Sequence, residues 1–167
     1  MNRFEKVQKN VEEIIKKSPL EFDLIHSRKV LYWLLKLKPD SDEILKIAAI
    51  AHDIERGITG ITEITHLKSY GDIKNFKKQH AKRSANFTIG LLEKYNYSKR
   101  EILRLKKLIE NHEEGGDEET NILTDADSIA YFDYIIMLTL VIKKVVRKEQ
   151  GKKLNLCLRE HLMKQRK

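Results

Sequence analysis

The chain has 167 residues, of which 41% are hydrophobic and 35% charged, a composition that fits one globular domain and excludes disorder over the whole length. Seven glycines and two prolines supply too few turns for an all-β fold, and a single cysteine excludes an internal disulfide or a cysteine-rich zinc site. The formal charge of +8 suggests a nucleic-acid partner, and because no apolar run reaches about 18 residues we expect a cytoplasmic protein without a membrane span.

Apolar residues recur at helical spacing along most of the chain, which predicts an all-α bundle of six or seven helices. Residues 57–71 interrupt this pattern with three of the seven glycines, and they fit a loop, a short helix or a short hairpin. One more short amphipathic helix is expected from Lys152 onward. In chain order, the other predicted helices cover residues 4–17, 21–38, 42–53, 72–95, 98–112 and 121–147.

The positive charge is concentrated at the C-terminal end of the sequence. Residues 143–167 carry ten Lys/Arg against two acids, whereas residues 1–142 carry 23 of each. Such a run is typical of a solvated helix end, and weak contact with RNA or DNA is the alternative. We therefore predict one helical domain over residues 1–150, with a basic tail or short helix over 151–167 packed on it. The protein is expected to be a monomer or a homodimer.

Four of the six histidines fall on apolar or small-residue faces of four different predicted helices. A single inward histidine would be explained by a hydrogen-bonded position in the core. Several buried imidazoles without a shared partner would cost free energy, and a bound cation would offset that cost. The sequence therefore predicts a metal site that includes His26, His52, His80 and His112.

Carboxylates lie near the same faces. Asp53 follows His52 at the end of a predicted helix, where both side chains can reach one ion or two neighbouring ions. Asp125 and Asp127 precede a mostly apolar helical stretch, and each of them could instead cap that helix and complement its dipole. Histidines and carboxylates must supply the ligands because the chain has only one cysteine.

His26, the doublet His52-Asp53 in the context Ala-His-Asp-Ile-Glu-Arg, and a distant Asp in an Ala-Asp setting resemble the HD superfamily of metal-dependent phosphohydrolases. The resemblance covers residues 22–134 and implies an HD-like helical bundle. It also implies that these histidines and aspartates are metal ligands.

The resemblance favours Asp127 over Asp125 as the distant ligand, because the family's Asp usually precedes the first apolar turn of its helix. His80 and His112 resemble the extra pair in members that have a dinuclear centre, where Asp53 would bridge the two ions. The implied ligand set is therefore His26, His52, Asp53, His80, His112 and Asp127.

The resemblance implies hydrolysis of a nucleotide or another small phosphorylated molecule, with water activated by one or two bound ions. Histidine nitrogen with carboxylate oxygen suits Mn, Fe, Co, Ni or Zn, and the dinuclear form is preferred. The doublet is followed by Ile-Glu-Arg where many members have Ile-Gly-Lys, so Arg56 is the candidate substitute for a phosphate-facing lysine. Two alternatives remain open: a di-iron oxygenase of the myo-inositol oxygenase type, and a non-enzymatic polyanion-binding module that keeps a structural metal.

Further candidates for substrate binding lie near the predicted ligands. Lys82 and Arg83 flank the inward face at His80 in a lysine-rich segment, and they could meet substrate oxygen atoms or belong to an ordinary exposed helix face. Tyr131, which follows the Ala-Asp motif, is a further candidate contact.

Three residues are candidates for a catalytic role. Asp53 and Arg56 follow from the doublet and its context, and His66 is either a general acid or an exposed residue of the glycine-bearing segment. The acidic stretch 113–119 is expected to be a solvated loop. Acceptors that orient the histidines are expected among Glu55, Asn111 and Asp125.

Overall fold

The computed structural model describes the backbone of residues 1–164 and the side chains up to residue 148, except those of residues 64, 135, 139, 142, 143 and 145–147. Across this part of the chain the elements are eight α-helices and no strand, which confirms the all-α prediction. The helices are α1 (Arg3–Ile15), α2 (Asp23–Leu37), α3 (Glu43–Ala51), α4 (Arg56–Thr59), α5 (Glu63–Tyr70), α6 (Ile73–Lys94), α7 (Lys99–Asn111) and α8 (Glu118–Lys164).

The structure differs from the predicted helices in two segments. The glycine-bearing segment forms α4 and α5, separated at Gly60 by a left-handed residue with φ 69°, so the described helices number eight rather than six or seven. At the other end, the backbone of α8 continues through Gly151 to Lys164, so the stretch from Lys152 is part of α8 and not a separate helix. The side chains of the predicted basic tail, 151–167, lie outside the described residues.

Five helices start at a side-chain cap whose oxygen accepts a hydrogen bond from the backbone N–H three residues later. These caps satisfy donors that have no partner within the helix. They therefore fix where each helix begins, including α6, which carries His80. The caps are Asn2, Asp42, Thr62, Asp72 and Ser98.

Helix α3 lies at the centre of the unit Met1–Ala130, where it packs against α1, α2, α6 and α7. Ile44, Leu45 and residues 47–51 are buried, so this helix has almost no solvent-facing side. An apolar helix of this kind ends inside the protein. Its C-terminal end therefore delivers His52 and the next residue to buried positions.

Gly57 permits a close approach between α4 and α1. A Cβ atom at this position would lie 2.2 Å from the carbonyl oxygen of Ile14, far inside van der Waals contact. Glycine is the residue that allows backbones to come this close. The contact fixes α4, which begins at Arg56, against α1.

The chain divides into two compact units, Met1–Ala130 and Tyr131–Lys167. In the second unit, Tyr131 and Phe132 form an edge-to-face ring pair with centroids 6.1 Å apart, and both side chains are exposed. Within the described residues, no helix is both long enough and apolar enough to cross a bilayer.

Candidate metal centre

Five predicted ligands come from five different helices or their ends. His52 and His112 are the C-terminal caps of α3 and α7. His26 lies near the start of α2, His80 about two turns into α6, and Asp127 within α8. The four histidines are at most 5% exposed. The sequence therefore positions each ligand by helix packing rather than by a mobile loop.

The Nε2 atoms of three histidines and the oxygen atoms of two aspartates face one another. His26 Nε2 lies 2.8 Å from Asp127 Oδ1 and 3.3 Å from His52 Nε2. His52 Nε2 lies 3.5 Å from Asp127 Oδ1 and 3.6 Å from Asp53 Oδ2. His80 Nε2 lies 2.7 Å from the other Asp53 oxygen, Oδ1.

His112 joins this set through its ring, whose centroid lies 5.1 Å from that of His52 and 6.1 Å from that of His80. The ligand atoms form three overlapping groups of three, and within each group they all lie within 4.8 Å of one another. Because two groups share each of His52, Asp53 and His112, the six residues form one continuous cluster. The groups are His26, His52 and Asp53; His52, His112 and Asp127; and Asp53, His80 and His112.

Backbone carbonyl groups fix the orientation of two imidazoles. His52 Nδ1 donates to the carbonyl oxygen of Ala49 at 2.9 Å, and His112 Nδ1 donates to that of Ile109 at 2.7 Å. A carbonyl oxygen can only accept, so each Nδ1 carries the hydrogen. In the neutral rings, the Nε2 lone pair therefore points into the cluster, as a metal ligand requires.

The charges of the cluster shift the pKa values of its members. Burial lowers the pKa of His52, but the charges of Asp53 and Asp127 outweigh burial and raise it to about 9. Burial raises the pKa of Asp127, whereas His52 and a hydrogen bond from His26 hold it well below its usual range. Burial and the charge of His52 lower the pKa of His112. Protons therefore compete with a cation for the Nε2 atom of His52.

The donor set fits a divalent transition ion. Imidazole nitrogen and carboxylate oxygen are ligands that Mn, Fe, Co, Ni and Zn accept, and the buried His/Asp groups can hold such an ion. The structure thus brings together all six predicted ligands. Asp125 is exposed, so Asp127 is the member of that pair that reaches the cluster.

Arg56 lies against the inner side of the cluster, where it contacts three carboxylates. Its guanidinium donates to Asp53, donates to Glu63 at 3.1 Å, and lies 3.6 Å from Asp23, which is fully buried. Burial lowers the pKa of Arg56, but the three carboxylates raise it overall. This guanidinium is therefore a counter-ion for protein carboxylates. Asp23, Asp53 and Arg56 are called the inner trio below.

Glu55 lies behind His80 and accepts a hydrogen bond from its Nδ1 at 3.1 Å. Arg83 donates to both oxygen atoms of Glu55 at 2.9 Å and to the Tyr70 hydroxyl at 3.0 Å. Burial raises the pKa of Glu55, but the hydrogen bonds from Arg83 and His80 lower it to about 2. Glu55 is thus an acceptor that orients His80, as predicted, whereas Asn111 donates to a backbone carbonyl of its own helix.

Three other predicted site residues are not members of the ligand groups found in the described part of the chain. Lys82 is exposed on α6, about 200° around the helix from His80. His66 lies in α5 with its Nδ1 2.6 Å from Thr65 Oγ1. Tyr131 belongs to the second compact unit and is half exposed.

One residue of the lysine-rich segment and one of the acidic stretch, neither of them among the predicted site residues, lie beside the cluster. Glu113 Oε1 lies 3.8 Å from His112 Nε2, and Glu113 Oε2 accepts a hydrogen bond from Lys77 Nζ at 2.6 Å. Lys77 is three residues before His80, and Glu113 is next to His112. These spacings are present in the sequence, but they do not distinguish site residues from an exposed helix face or a solvated acidic loop. Lys77 and Glu113 are called the outer pair below.

Together, the fold and the cluster define an all-α protein with a buried group of four histidines and two aspartates that can hold a metal ion. The chain belongs to the DUF4202 family, described as a domain of unknown function, whose sequence model matches residues 3–155. No curated protein and no solved structure matches the chain.

Proposed function

We propose that this protein is a metal-dependent phosphohydrolase of the HD type that acts on a nucleotide or another small phosphorylated molecule. The observation that carries this proposal is the buried cluster, in which ligand atoms from six residues lie within 4.8 Å of one another in overlapping groups. Six ionisable side chains packed together inside a small protein are costly to bury. Such concentrations of perturbed groups are typical of functional sites.

A divalent ion held by these residues would lower the pKa of a water molecule and polarise the phosphoryl oxygen of the substrate. Asp53 directs one oxygen toward His80 and the other toward His52, so its two oxygen atoms could serve as ligands in a dinuclear site. The backbone carbonyl groups that hold the Nδ1 hydrogen atoms of His52 and His112 keep the ligand nitrogen atoms aimed inward.

The remaining site residues have supporting roles in this proposal. Arg56 neutralises part of the negative charge of the inner trio, which reduces the repulsion that an anionic substrate would meet. Lys82 stays a candidate substrate contact and His66 stays the candidate general acid. Arg83 instead holds Glu55, which orients His80.

The six-ligand pattern also suits a di-iron oxygenase, for which iron content and oxygen-dependent turnover are the distinguishing measurements. A polyanion-binding module with a structural metal would instead show salt-sensitive binding that is lost when residues after Arg147 are removed, without hydrolysis of any phosphoester. Buried ligands beside a partly exposed cation, Lys77, favour the phosphohydrolase.

Metal analysis of the purified protein and a hydrolysis screen test the proposal together. The screen covers nucleoside mono-, di- and triphosphates, dinucleoside polyphosphates and a chromogenic phosphodiester. Asp127→Ala should lose bound metal and reduce turnover more than about 100-fold, because it removes a ligand rather than a group that orients one. Asp125→Ala is the matched control, since Asp125 is exposed two residues away on the same helix.

The control variant should keep both metal and turnover. Equal turnover in the two variants would refute the assignment of the cluster as the catalytic site. A protein that retains no transition metal after loading would refute the metal centre itself.

A further inference from the structure

The cations near the cluster differ in the groups that already bind them. Arg56 contacts three carboxylates, two of which are buried, and Arg83 donates to both oxygen atoms of the buried Glu55. To turn fully toward an incoming phosphate, either guanidinium would have to leave a buried carboxylate, which is strongly unfavourable. Only the contact of Arg56 with Glu63, whose side chain is 30% exposed, could be exchanged without that cost. Neither arginine is therefore well suited to receive a substrate anion.

Lys77 is placed differently. It lies one turn before His80 on α6, so its side chain leaves the helix on the face that carries this ligand. The same Glu113 carboxylate that accepts its hydrogen bond at 2.6 Å has its other oxygen 3.8 Å from His112 Nε2. A single carboxylate thus separates the ammonium group from a ligand nitrogen. The Lys77 side chain is 45% exposed, so a solute can reach it.

The neighbouring carboxylates keep this ammonium group charged. Partial burial lowers the pKa of Lys77, but Glu113 raises it, and the charges of Asp127 and Glu63 raise it further. Lys77 therefore stays charged at neutral pH. A phosphoryl group bound at the cluster would meet this charge beside it.

We propose that Lys77 is the specificity-determining cation that receives the anionic phosphoryl group of the substrate, and that Glu113 is its exchangeable counter-ion. Glu113 holds the ammonium group beside His112 until the substrate anion takes the place of the carboxylate. This inference rests on the proposed function, because the substrate must bind at the same cluster. It assigns to Lys77 the contact that the sequence pattern gave to Arg56.

Calorimetric titration of Mn²⁺-loaded protein with inorganic phosphate measures the phosphate affinity, and it tests this assignment without any need for turnover. Lys77→Met should weaken phosphate binding about 10- to 100-fold, because it removes a charged hydrogen-bond donor. Glu113→Gln should tighten binding about two- to fivefold, because it removes the anion that competes for Lys77. Lys78→Met is the matched control. Lys78 is exposed on α6, about 100° around the helix from Lys77, so its substitution should leave phosphate affinity unchanged.

Opposite shifts in the two variants, at an unchanged Mn²⁺ content, support the assignment, since a merely structural ion pair would give shifts of the same sign. Phosphate affinity that is unchanged in Lys77→Met, or that falls equally in Lys77→Met and Glu113→Gln, overturns it. The unmodified protein can bind Mn²⁺ and hydrolyse a phosphoester while Lys77→Met binds phosphate with the same affinity. That result refutes only the role of Lys77. If the unmodified protein retains no metal, the proposed function falls as well.

Discussion

The inner trio and the outer pair contain the same kinds of charge, but they differ in burial. Arg56 is 9% exposed and Asp23 is fully buried, whereas 45% of the Lys77 side chain is exposed. Two of the three guanidinium contacts of Arg56 go to the buried carboxylates of the inner trio, Asp23 and Asp53. In the outer pair, Lys77 and Glu113 can each exchange the other for a solute.

This difference separates two tasks that ion pairs perform around one cluster. A buried pair cannot be broken without leaving a charge in a low-dielectric environment, so Arg56 fixes the position of Asp53. A partly exposed pair is weak and reversible, so Lys77 can serve an incoming anion. Ion pairs of the same residue types therefore have different roles: the inner trio stabilises the fold, and the outer pair can be replaced by a contact with a solute.

Arg56→Met should have the largest effect on stability. It leaves buried carboxylates without their cation, and we expect the free energy of unfolding to fall by about 3–5 kcal/mol in urea denaturation. Adding Mn²⁺ should recover part of this loss, because a divalent ion can supply positive charge beside Asp53.

The control for this prediction is Arg104→Met, whose guanidinium pairs with Asp42 and Glu119 at a partly exposed position. Its loss should be about 1 kcal/mol or less and insensitive to Mn²⁺. Equal losses in Arg56→Met and Arg104→Met would remove the distinction between buried support and surface pair.

Gly57→Ala tests whether the close backbone contact between α4 and α1 is needed to position Arg56. The added Cβ would meet the Ile14 carbonyl oxygen at 2.2 Å and push α4 away from α1, displacing Arg56 with it. We expect a destabilisation of about 1–3 kcal/mol by thermal or urea unfolding. Gly90→Ala, near the C-terminal end of α6 where an added Cβ would meet no atom within 4 Å, should instead stabilise by about 0.5–1 kcal/mol. A Gly57→Ala variant that is as stable as the unmodified protein, or more stable, would show that the close approach at Gly57 is not needed.

The pH dependence of metal affinity tests the role of the ligand histidines, whose pKa values are shifted in different directions. The pKa of His52 is raised to about 9 and that of His80 is also raised, whereas that of His112 is lowered. Below pH 9, a cation must therefore displace protons from His52, and affinity should rise about tenfold per pH unit for each proton released.

The rise should flatten above about pH 9, where His52 is already neutral in the metal-free protein. Competition with a chromogenic chelator between pH 6 and pH 10 measures this slope. A flat profile below pH 9 would mean that His52 does not bind the ion.

The histidines could be predicted from the sequence because helical periodicity alone places them on inward faces. His52 and His112 extend the apolar stripes of α3 and α7, and the structure finds both buried at the ends of those helices. The eight-helix count could not be predicted, since 57–71 combines helical spacing with three glycines. Local pattern thus determined which side chains turn inward.

The partners of the charged residues could not be predicted in the same way. Arg56 contacts Asp23, which lies 33 residues earlier in the sequence and on a different helix. Lys77 contacts Glu113 from a predicted solvated loop, across 36 residues. Tertiary packing determines which carboxylates a long cationic side chain contacts, and the helical periodicity of the sequence does not predict that packing.

Lys77→Met should have the smallest effect on stability of these changes. The partly exposed Lys77–Glu113 pair is worth about 1 kcal/mol or less, so urea denaturation should show a midpoint close to that of the unmodified protein. The same substitution should weaken phosphate binding far more than it weakens the fold, whereas Arg56→Met should do the reverse. A Lys77→Met variant that unfolds as readily as Arg56→Met would mean that the outer pair supports the fold. The inner trio and the outer pair would then both have structural roles, and a residue other than Lys77 would have to bind the substrate anion.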